Sequence, residues 1–515
     1  MGRRSSRERS RAAPAGGAQA PRSPAFAANA PQPSLPAGFV LALIFLGVAL
    51  LHAGALRLPF FADDYLFLEQ VRGRSPIAAL TAPDAISNFF RPVGRQLYFW
   101  LLAHLTGESP RAFHAANLVL FLGIIALLFA IVRRLAGTVA AAVAASFLAL
   151  HYAADVPLRW VSGSQDLLAV LGALAAIALH LAGRRAWAAA ALLVGLLAKE
   201  AVVLTPLIAA AADRRSGEGG RATLVRAWPL AAATAAWAAL WLLTAPQRRG
   251  LETSLGLEPL GAAAVLAHLV HVTVGLEWRG AFAAVGRALP PLLPLAPVVL
   301  AVLAARRGVG EKRDARPALI TGGLWAVSAA APVVAVASIW SAYYYLFALC
   351  GVALALGALA ARGPRWLAVV VVVVLASGSQ AGRGATEFAT GRGAWTWQSH
   401  INRLYIDRAT ERVARYLGEL KRARPTVPPR STLFFAGVPS FVAWQTADGP
   451  LVRWAYRDTS LRSFYQSDFT LARARRGPVF FFSVDGDTLR EEAREPGQLR
   501  GVALRVLLND RVDAA

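Results

Sequence analysis

Long apolar runs, separated by short arginine-rich loops, repeat along most of this 515-residue chain. Hydrophobic residues make up 56% of the sequence and the mean hydropathy is +0.47, above the average of soluble globular proteins. Several runs approach the length of about 20 residues that a helix needs to cross a bilayer. The sequence therefore predicts a polytopic, all-α membrane domain.

The charge of the chain indicates topology. The formal net charge is +24, which in a soluble protein would suggest nucleic acid as a partner. Here the arginines cluster in loops between apolar runs, where the positive-inside rule places them in the cytoplasm, so no nucleic-acid partner is expected. Lysine is nearly absent, and this bias toward Arg and Ala is typical of a high-GC bacterial genome. We therefore expect a bacterial inner (cytoplasmic) membrane protein. The one cysteine, Cys350, excludes a disulfide framework.

Loop arginines also give each span a direction. Residues 1–37 predict a disordered, basic cytoplasmic tail before an uncleaved first span. Residues 260–278 are assigned to the outer surface, because a crossing there would move later arginine loops outside. This gives a transmembrane domain at 38–380 with an outer loop at 57–112, where Leu97–Leu105 is expected along the interface. The eleven expected spans lie near 38–56, 113–132, 138–152, 163–183, 186–198, 201–213, 227–245, 287–305, 317–338, 341–361 and 366–380.

The remaining residues, 381–515, have a soluble composition and are expected on the periplasmic or extracellular side. Gln398–Leu420 has the spacing of a helix. Strands are predicted, with a turn at Asp485-Gly486, for Thr432–Ala436, Val452–Tyr456, Val479–Val484 and Val502–Leu508. The sequence thus predicts a small C-terminal extracytoplasmic α/β domain.

Two adjacent carboxylates, Asp63 and Asp64, follow the first apolar run. Neighbouring like charges at a membrane interface are costly unless a proton or a cation offsets them. Ionisable groups at this depth are often functional, which favours a catalytic acid/base at the mouth of a cavity. A solvated polar loop is the alternative.

Polar residues collect at the expected outer end of the membrane domain, whereas mainly arginines lie at the inner end. Such carboxylates can deprotonate a hydroxyl, and Arg, Lys and His can hold phosphate. Snorkelling to water is the alternative for Arg95 and Arg159, and a structural ion pair is the alternative for Lys199-Glu200. The outer set is Asp63, Asp64, Arg91, Arg95, His114, Asn117, His151, Asp155, Arg159, Asp166, Lys199 and Glu200.

The order of these motifs resembles the GT-C glycosyltransferases, which take sugar from a polyprenyl-phosphate carrier. Within them it is most similar to the O-mannosyltransferase group that includes the TMTC proteins. The chain departs from that pattern at Val156, where the group has an acid, at Gly163-Ser164, where it has Gly-Arg, and in lacking helical repeats. The matching residues, within about 57–215, are Asp63-Asp64; Phe90-Arg91-Pro92-Val93, Gly107, Pro110, Phe113-His114 and Asn117; His151, Trp160-Val161, Gly163 and Asp166-Leu167-Leu168; and Ala198-Lys199-Glu200 with Pro206.

The resemblance implies a single inverting transfer of mannose or a similar hexose to a hydroxyl of a protein, lipid or glycan acceptor. The donor would be a polyprenyl-phosphate-linked sugar, anchored in the lipid bilayer with its head group at the outer face. Asp63 is the expected base, and Asp64 would orient it or bind sugar. The residues expected to bind substrate or stabilise the leaving phosphate are Arg91, His114, Asn117, His151, Asp155, Arg159, Asp166, Lys199 and Glu200.

Several alternatives stay open. Trp340 and Tyr343–Tyr345 are interpreted as an interface belt, or else they stack on sugar or line the lipid groove. Mg²⁺ or Mn²⁺ could be held by Asp63, Asp64, Asp155 and two histidines, although no spacing requires a metal. A transporter or flippase is the alternative function, but no inverted repeat is evident. A membrane-anchored scaffold is a third.

Overall fold

The structure is a computed structural model that describes residues 37–83, 85–86, 89–214, 220–244, 256, 258–278, 280–285, 291–305, 307, 314–438, 449–485 and 488–492. The predicted tail at 1–37 lies outside these residues, apart from Ala37. The predicted strand Val502–Leu508 and Gly486 of the predicted turn also lie outside them.

The chain up to residue 383 is built from helices. Its first nine are α1 (Ala37–His52), α2 (Asp63–Val71), α3 (Pro76–Thr81), α4 (Tyr98–Thr106), α5 (Pro110–Ala136), α6 (Thr138–Leu150), α7 (Asp155–Arg159), α8 (Ser164–Leu181) and α9 (Arg185–Ala198). The next nine are α10 (Thr205–Ala212), α11 (Gly220–Arg226), α12 (Trp228–Leu243), α13 (Gly261–Val274), α14 (Ala281–Val285), α15 (Leu292–Ala304), α16 (Arg316–Ala330), α17 (Leu346–Ala360) and α18 (Arg365–Arg383).

In the described residues, six helical segments are long and apolar enough to cross a bilayer. A seventh is added if α6 and the segment Tyr152–Arg159, bent by 53°, form one broken span. The shorter apolar helices include α9, α12, α13 and α15. These findings support a multi-pass membrane protein, and the count of eleven spans stays a prediction. The six segments are Ala37–Arg57, Pro110–Ala136, Val161–Leu181, Arg316–Ile339, Ala342–Ala360 and Arg365–Arg383.

Short distorted turns interrupt the bundle between these helices. Val93–Leu97 forms a π-helical turn, in which the Leu97 amide donates to the Pro92 carbonyl five residues earlier, at 2.8 Å. Such turns often occur at functional sites because they redirect side chains. The 3₁₀ turns that concern the site are Tyr152–Ala154, Val161–Gly163, Glu200–Val202 and Ala342–Tyr345.

The chain after the bundle forms a helix and a sheet. Its elements are α19 (Arg403–Ala423), β1 (Thr432–Ala436), α20 (Pro450–Tyr456), β2 (Arg462–Tyr465), α21 (Leu471–Ala474), β3 (Val479–Asp485) and β4 (Thr488–Glu492). The strand order is β2-β1-β3-β4; β1 is parallel to both neighbours, and β4 is antiparallel to β3.

Two of the four predicted strands are confirmed, as β1 and β3. The strand predicted at Val452–Tyr456 is wrong, because that segment belongs to helix α20. Gly449, with φ of +92°, and Pro450 at the first helical position start this helix. Proline is favoured at that position, since its missing N–H needs no partner there. The apolar content of the run concealed this signal.

An apolar cluster joins the sheet region to the start of the bundle. It contains Phe60, Phe61 and Tyr65 around the acid pair, together with Val413 of α19 and Phe435 of β1. The predicted helix Gln398–Leu420 is confirmed in its main part as α19. This helix packs against the first outer loop, where Tyr405 contacts Phe61.

We expect Gly322 of α16 and Gly351 of α17 to be essential for the packing of these two helices. A Cβ on Gly322 would lie 2.7 Å from the Gly351 carbonyl oxygen, whereas a Cβ on the neighbouring, exposed Gly323 would meet nothing within 4 Å. Gly322→Ala should lower the melting temperature, because overpacking costs about 1–3 kcal/mol. Gly323→Ala should leave it unchanged or raise it, because alanine favours a helix by about 0.5–1 kcal/mol. Thermal unfolding of the two purified variants checks this, and equal effects would contradict the packing argument.

Candidate active site

The two adjacent acids begin helix α2 and have different surroundings. Asp64 is fully buried, and its Oδ2 accepts a hydrogen bond from the Phe61 amide at 2.8 Å. Its Oδ1 accepts from the Ser162 amide at 2.8 Å and from the Ser162 hydroxyl at 2.5 Å. Asp63 is only half-buried. Asp64 is therefore an anchor, while part of the surface of Asp63 stays exposed.

The backbone before the acids is strained. Ala62 has φ of +47° and ψ of −116°, a left-handed conformation that residues other than glycine rarely adopt. Such strain persists only where the surroundings hold it, and it is concentrated at functional sites. Here Asp64 holds the strained turn, because it accepts hydrogen bonds from the amide of Phe61, just before Ala62, and from the amide of Ser162.

Ser162 is available to Asp64 because the chain is not regularly helical there. It lies in the 3₁₀ turn Val161–Gly163, and N–H groups at the start of a helix lack partners within it. The turn also needs its glycine, since a Cβ on Gly163 would lie 2.4 Å from the Pro157 Cα atom. Burial raises the pKa of Asp64 to about 7, and the hydrogen bonds from Ser162 and Phe61 oppose that rise.

Gln165 connects this turn to two arginines. Its Nε2 donates to the Ser162 carbonyl at 2.9 Å, and its Oε1 accepts from Arg91 and from Arg95, both at 3.0 Å. The guanidinium of Arg91 also forms a two-pronged ion pair with Glu200, with Nε to Oε2 at 2.9 Å. Arg95 lies in the π-helical turn Val93–Leu97 and Arg91 lies two residues before it, and both reach the same amide oxygen.

Lys199 lies at a second break, directly after α9. Its ammonium nitrogen is 2.6 Å from Asp166 Oδ1, and both side chains are nearly buried. It also lies 5.0 Å from the ring centroid of Tyr344 and 5.4 Å from that of Tyr343, within the range of cation–π attraction. Lys199 and the adjacent Glu200 therefore have partners on different elements, as in the structural ion-pair alternative.

The interface-belt interpretation is wrong for three of the aromatic residues. Trp340, Tyr343 and Tyr345 are buried inside the protein, with at most 5% of their surface exposed. A belt residue would face lipid head groups. Trp340 instead stacks on His268, with ring centroids 3.9 Å apart.

Asp155 belongs to a second polar group. Its carboxylate accepts from Arg383 Nε at 3.1 and 3.0 Å, and His52 Nδ1 lies 3.8 Å away. Glu277, which the sequence analysis missed, is buried nearby; its Oε2 accepts from Ser399 at 2.6 Å. No described residue donates a hydrogen bond to its Oε1. Burial raises the pKa of Glu277 to about 7.

Four more predicted residues have structural partners. His114 Nδ1 is 3.1 Å from the Leu158 carbonyl, and Asn117 donates to the Pro157 carbonyl at 2.9 Å. His151 Nδ1 accepts from the Ala153 amide at 3.1 Å. Arg159 donates to Asp407 of α19 at 2.9 Å, so the snorkelling alternative is wrong for it.

The structure thus divides the predicted set. It brings together Asp64, Arg91, Arg95, Asp166, Lys199 and Glu200, directly or through Ser162, Gln165, Tyr343 and Tyr344. The polar side chains of these groups that sequence reasoning missed are Ser162, Gln165, Glu277, Arg383 and Asp407. Glu277 carried a signal, as a single acid in an apolar run.

The suggested metal ligands do not assemble. Asp64 is occupied by Phe61 and Ser162, and Asp155 is paired with Arg383. In the part of the chain that the structure describes, no three His, Cys, Asp or Glu side chains come close enough to hold a metal ion.

Two cavities lie away from these residues. One, of about 360 Å³, is lined by Arg133 and Arg134 at the opposite end of α5, and another, of about 580 Å³, is lined by Trp395–Gln398. Within the polar cluster, Arg91 is paired with Glu200 and Lys199 with Asp166. A charged ligand that enters it must compete with Glu200 and Asp166.

Comparisons with known proteins leave the family open. No family model and no curated protein matches the sequence. Among solved structures, the fold is similar to ArnT from Cupriavidus metallidurans bound to undecaprenyl phosphate, with 15% sequence identity and a TM-score of 0.43. That similarity covers 91% of this chain and 95% of ArnT. At this level it assigns neither a family nor a function to the chain.

We expect Glu277 to make stability depend on pH. The pKa of Glu277 is near 7 in the folded chain and has its ordinary value of 4.5 in the unfolded chain. Between pH 4.5 and pH 7, the folded chain therefore keeps a proton that the unfolded chain loses. Stability from this group therefore falls as pH rises from about 4.5 to 7. Glu277→Gln should remove this loss. The melting temperature of the variant minus that of wild type should therefore increase from pH 5 to pH 8.

The control is Glu108→Gln, which removes a partly exposed carboxylate that pairs with Arg72. Its difference from wild type should show no such trend. A constant difference for Glu277→Gln over the whole pH range would contradict the burial argument.

Proposed function

We propose that the chain is an inverting, GT-C-type membrane glycosyltransferase. It moves a hexose, mannose or a similar sugar, from a polyprenyl-phosphate carrier to a hydroxyl acceptor at the outer face of the bacterial inner membrane. The N-terminus would be cytoplasmic, and the region after residue 380 would be periplasmic or extracellular. The observation that carries the proposal is the acid pair, in which a buried, anchored Asp64 sits next to a half-buried Asp63.

Asp63 is the proposed base. It accepts the proton of the acceptor hydroxyl while the hydroxyl oxygen attacks the anomeric carbon and the bond to the carrier phosphate breaks. The first turn of a helix stabilises a carboxylate, because unpaired N–H groups lie there. Asp64 binds Ser162 and Phe61 and so holds this turn in place. General-base catalysis requires such a fixed position.

The leaving polyprenyl phosphate gains negative charge as the bond breaks. The site contains three cations, Arg91, Arg95 and Lys199. Arg91 pairs with Glu200, Lys199 pairs with Asp166, and Arg95 binds the amide of Gln165. These cations exceed Glu200 and Asp166 by one positive charge, in surroundings where electrostatic attraction is strong. Phosphate oxygens would replace a carboxylate as partners of Arg91 or Lys199, and this stabilises the transition state.

The first test is sugar transfer from radiolabelled polyprenyl-phosphate donors by purified protein with a mixed acceptor extract. Asp63→Asn should lower transfer by about 10²–10⁴-fold, which is the usual contribution of a general base. Glu108→Gln should retain activity, since its partner Arg72 follows the last residue of α2, about 13 Å from Asp63 along the helix axis. Equal transfer by wild type and Asp63→Asn would exclude Asp63 as the base. No transfer by folded wild type with several donors would favour a transporter.

The second test is binding of polyprenyl phosphate in detergent, which needs no acceptor. Lys199→Met should weaken it about tenfold, equivalent to about 1.4 kcal/mol, because a partner of the phosphate is lost. Lys421→Met is the matched control, since Lys421 is exposed near the end of α19. Equal affinities of the two folded variants would exclude Lys199 from the phosphate site.

A further inference from the structure

The acid-bearing helix α2 is held by residues from the far end of the chain. Trp454 of α20 packs edge-on against Phe60 and Tyr65, with ring centroids 5.9 and 5.4 Å apart. Arg453 forms a two-pronged ion pair with Glu69, with Nη2 to Oε2 at 2.6 Å. One side of α2 is therefore fixed by α20.

The first turn of α19 approaches the acids from another direction. Asn402 caps this helix, accepting from the Tyr405 amide at 3.0 Å. The Tyr405 ring meets Phe61 edge-on, with centroids 5.9 Å apart, and Phe388 at 5.2 Å. Phe61 is two residues before Asp63, so this contact places the tyrosine beside the acid loop.

Two further contacts prevent this turn from moving away. Asp407 pairs with Arg159 of α7. Ile406 is fully buried in a small apolar cluster with Val156 and Tyr343. The position of Tyr405 relative to the bundle is thus determined on both sides.

Electrostatics link the phenol to the nearer acid. Burial raises the pKa of Tyr405 to about 12, and the charge of Asp63 adds to the rise. The phenol therefore keeps its proton at working pH and can donate it in a hydrogen bond to a carboxylate.

We propose that Tyr405 is a positioning residue for Asp63, and that the region after the bundle completes the acid site. The phenol O–H donates to the half-buried carboxylate and fixes its orientation toward the acceptor hydroxyl; Tyr405 transfers no proton itself. This role rests on the proposed function, but the contact between the two side chains does not.

The test measures the contact without any substrate. Folded protein is treated with a water-soluble carbodiimide and an amine over a pH series, and modification of Asp63 is followed by peptide mass spectrometry. Carbodiimides react with protonated carboxyls, and a donated hydrogen bond favours the charged form. In Tyr405→Phe, which keeps the ring contacts, the pH of half-modification of Asp63 should move upward by about half a unit or more.

Tyr416→Phe is the control. It removes the same hydroxyl eleven residues further along α19, about 16 Å away along the helix axis. Its half-modification pH should match wild type. If Tyr405→Phe also matches wild type, the proposed contact is overturned. If wild-type protein transfers no sugar, the proposed function fails, while the labelling result still decides the contact.

Where transfer is measured, Tyr405→Phe should lower kcat about tenfold with little change in KM. A residue that positions the base affects the chemical step, whereas loss of a binding contact would raise KM. A change in KM alone would contradict the positioning role.

Discussion

The hydrogen bonds of Asp64 are the constraint on which the site depends. They join the first outer loop to the turn at Ser162, 98 residues later in the chain. A buried carboxylate is costly unless it is well satisfied, so this contact forms only when both turns have their distorted shape. That one connection joins the strained turn at Ala62 to the break at Val161–Gly163, next to the half-buried Asp63.

Polar side chains of the site lie where helices end or distort. Arg95 is in a π-helical turn, Ser162 in a 3₁₀ turn, and Lys199 directly after α9. In an apolar environment, irregular backbone is tolerated only where protein covers it. At the site, breaks in the helices and charged or polar side chains therefore lie together, as Ser162 shows by donating both its amide and its hydroxyl to Asp64.

Features that depend on local composition could be predicted from the sequence. Features that depend on contacts between distant residues were predicted less well. Apolar runs and the acids Asp63 and Asp64 are visible in a short window of residues. The partners of Lys199 and Glu200 are not: they are Asp166 and Arg91, from other elements. The contact of the buried acid Glu277 with Ser399, 122 residues away, is not visible in such a window either. The strand predicted at Val452–Tyr456 is wrong because the prediction followed the apolar content of the segment and overlooked Gly449-Pro450, which signals the start of a helix.

The ion pair between Glu69 and Arg453 spans 384 residues of sequence and has a consequence for biosynthesis. A chain that is made from its N-terminus inserts and folds its early helices while later ones are still being translated. Helix α2 then leaves the ribosome long before Trp454 and Arg453 exist. The acid pair reaches its final surroundings only when nearly the whole chain has been released. A truncated or stalled product would carry both acids in the membrane without the groups that fix them.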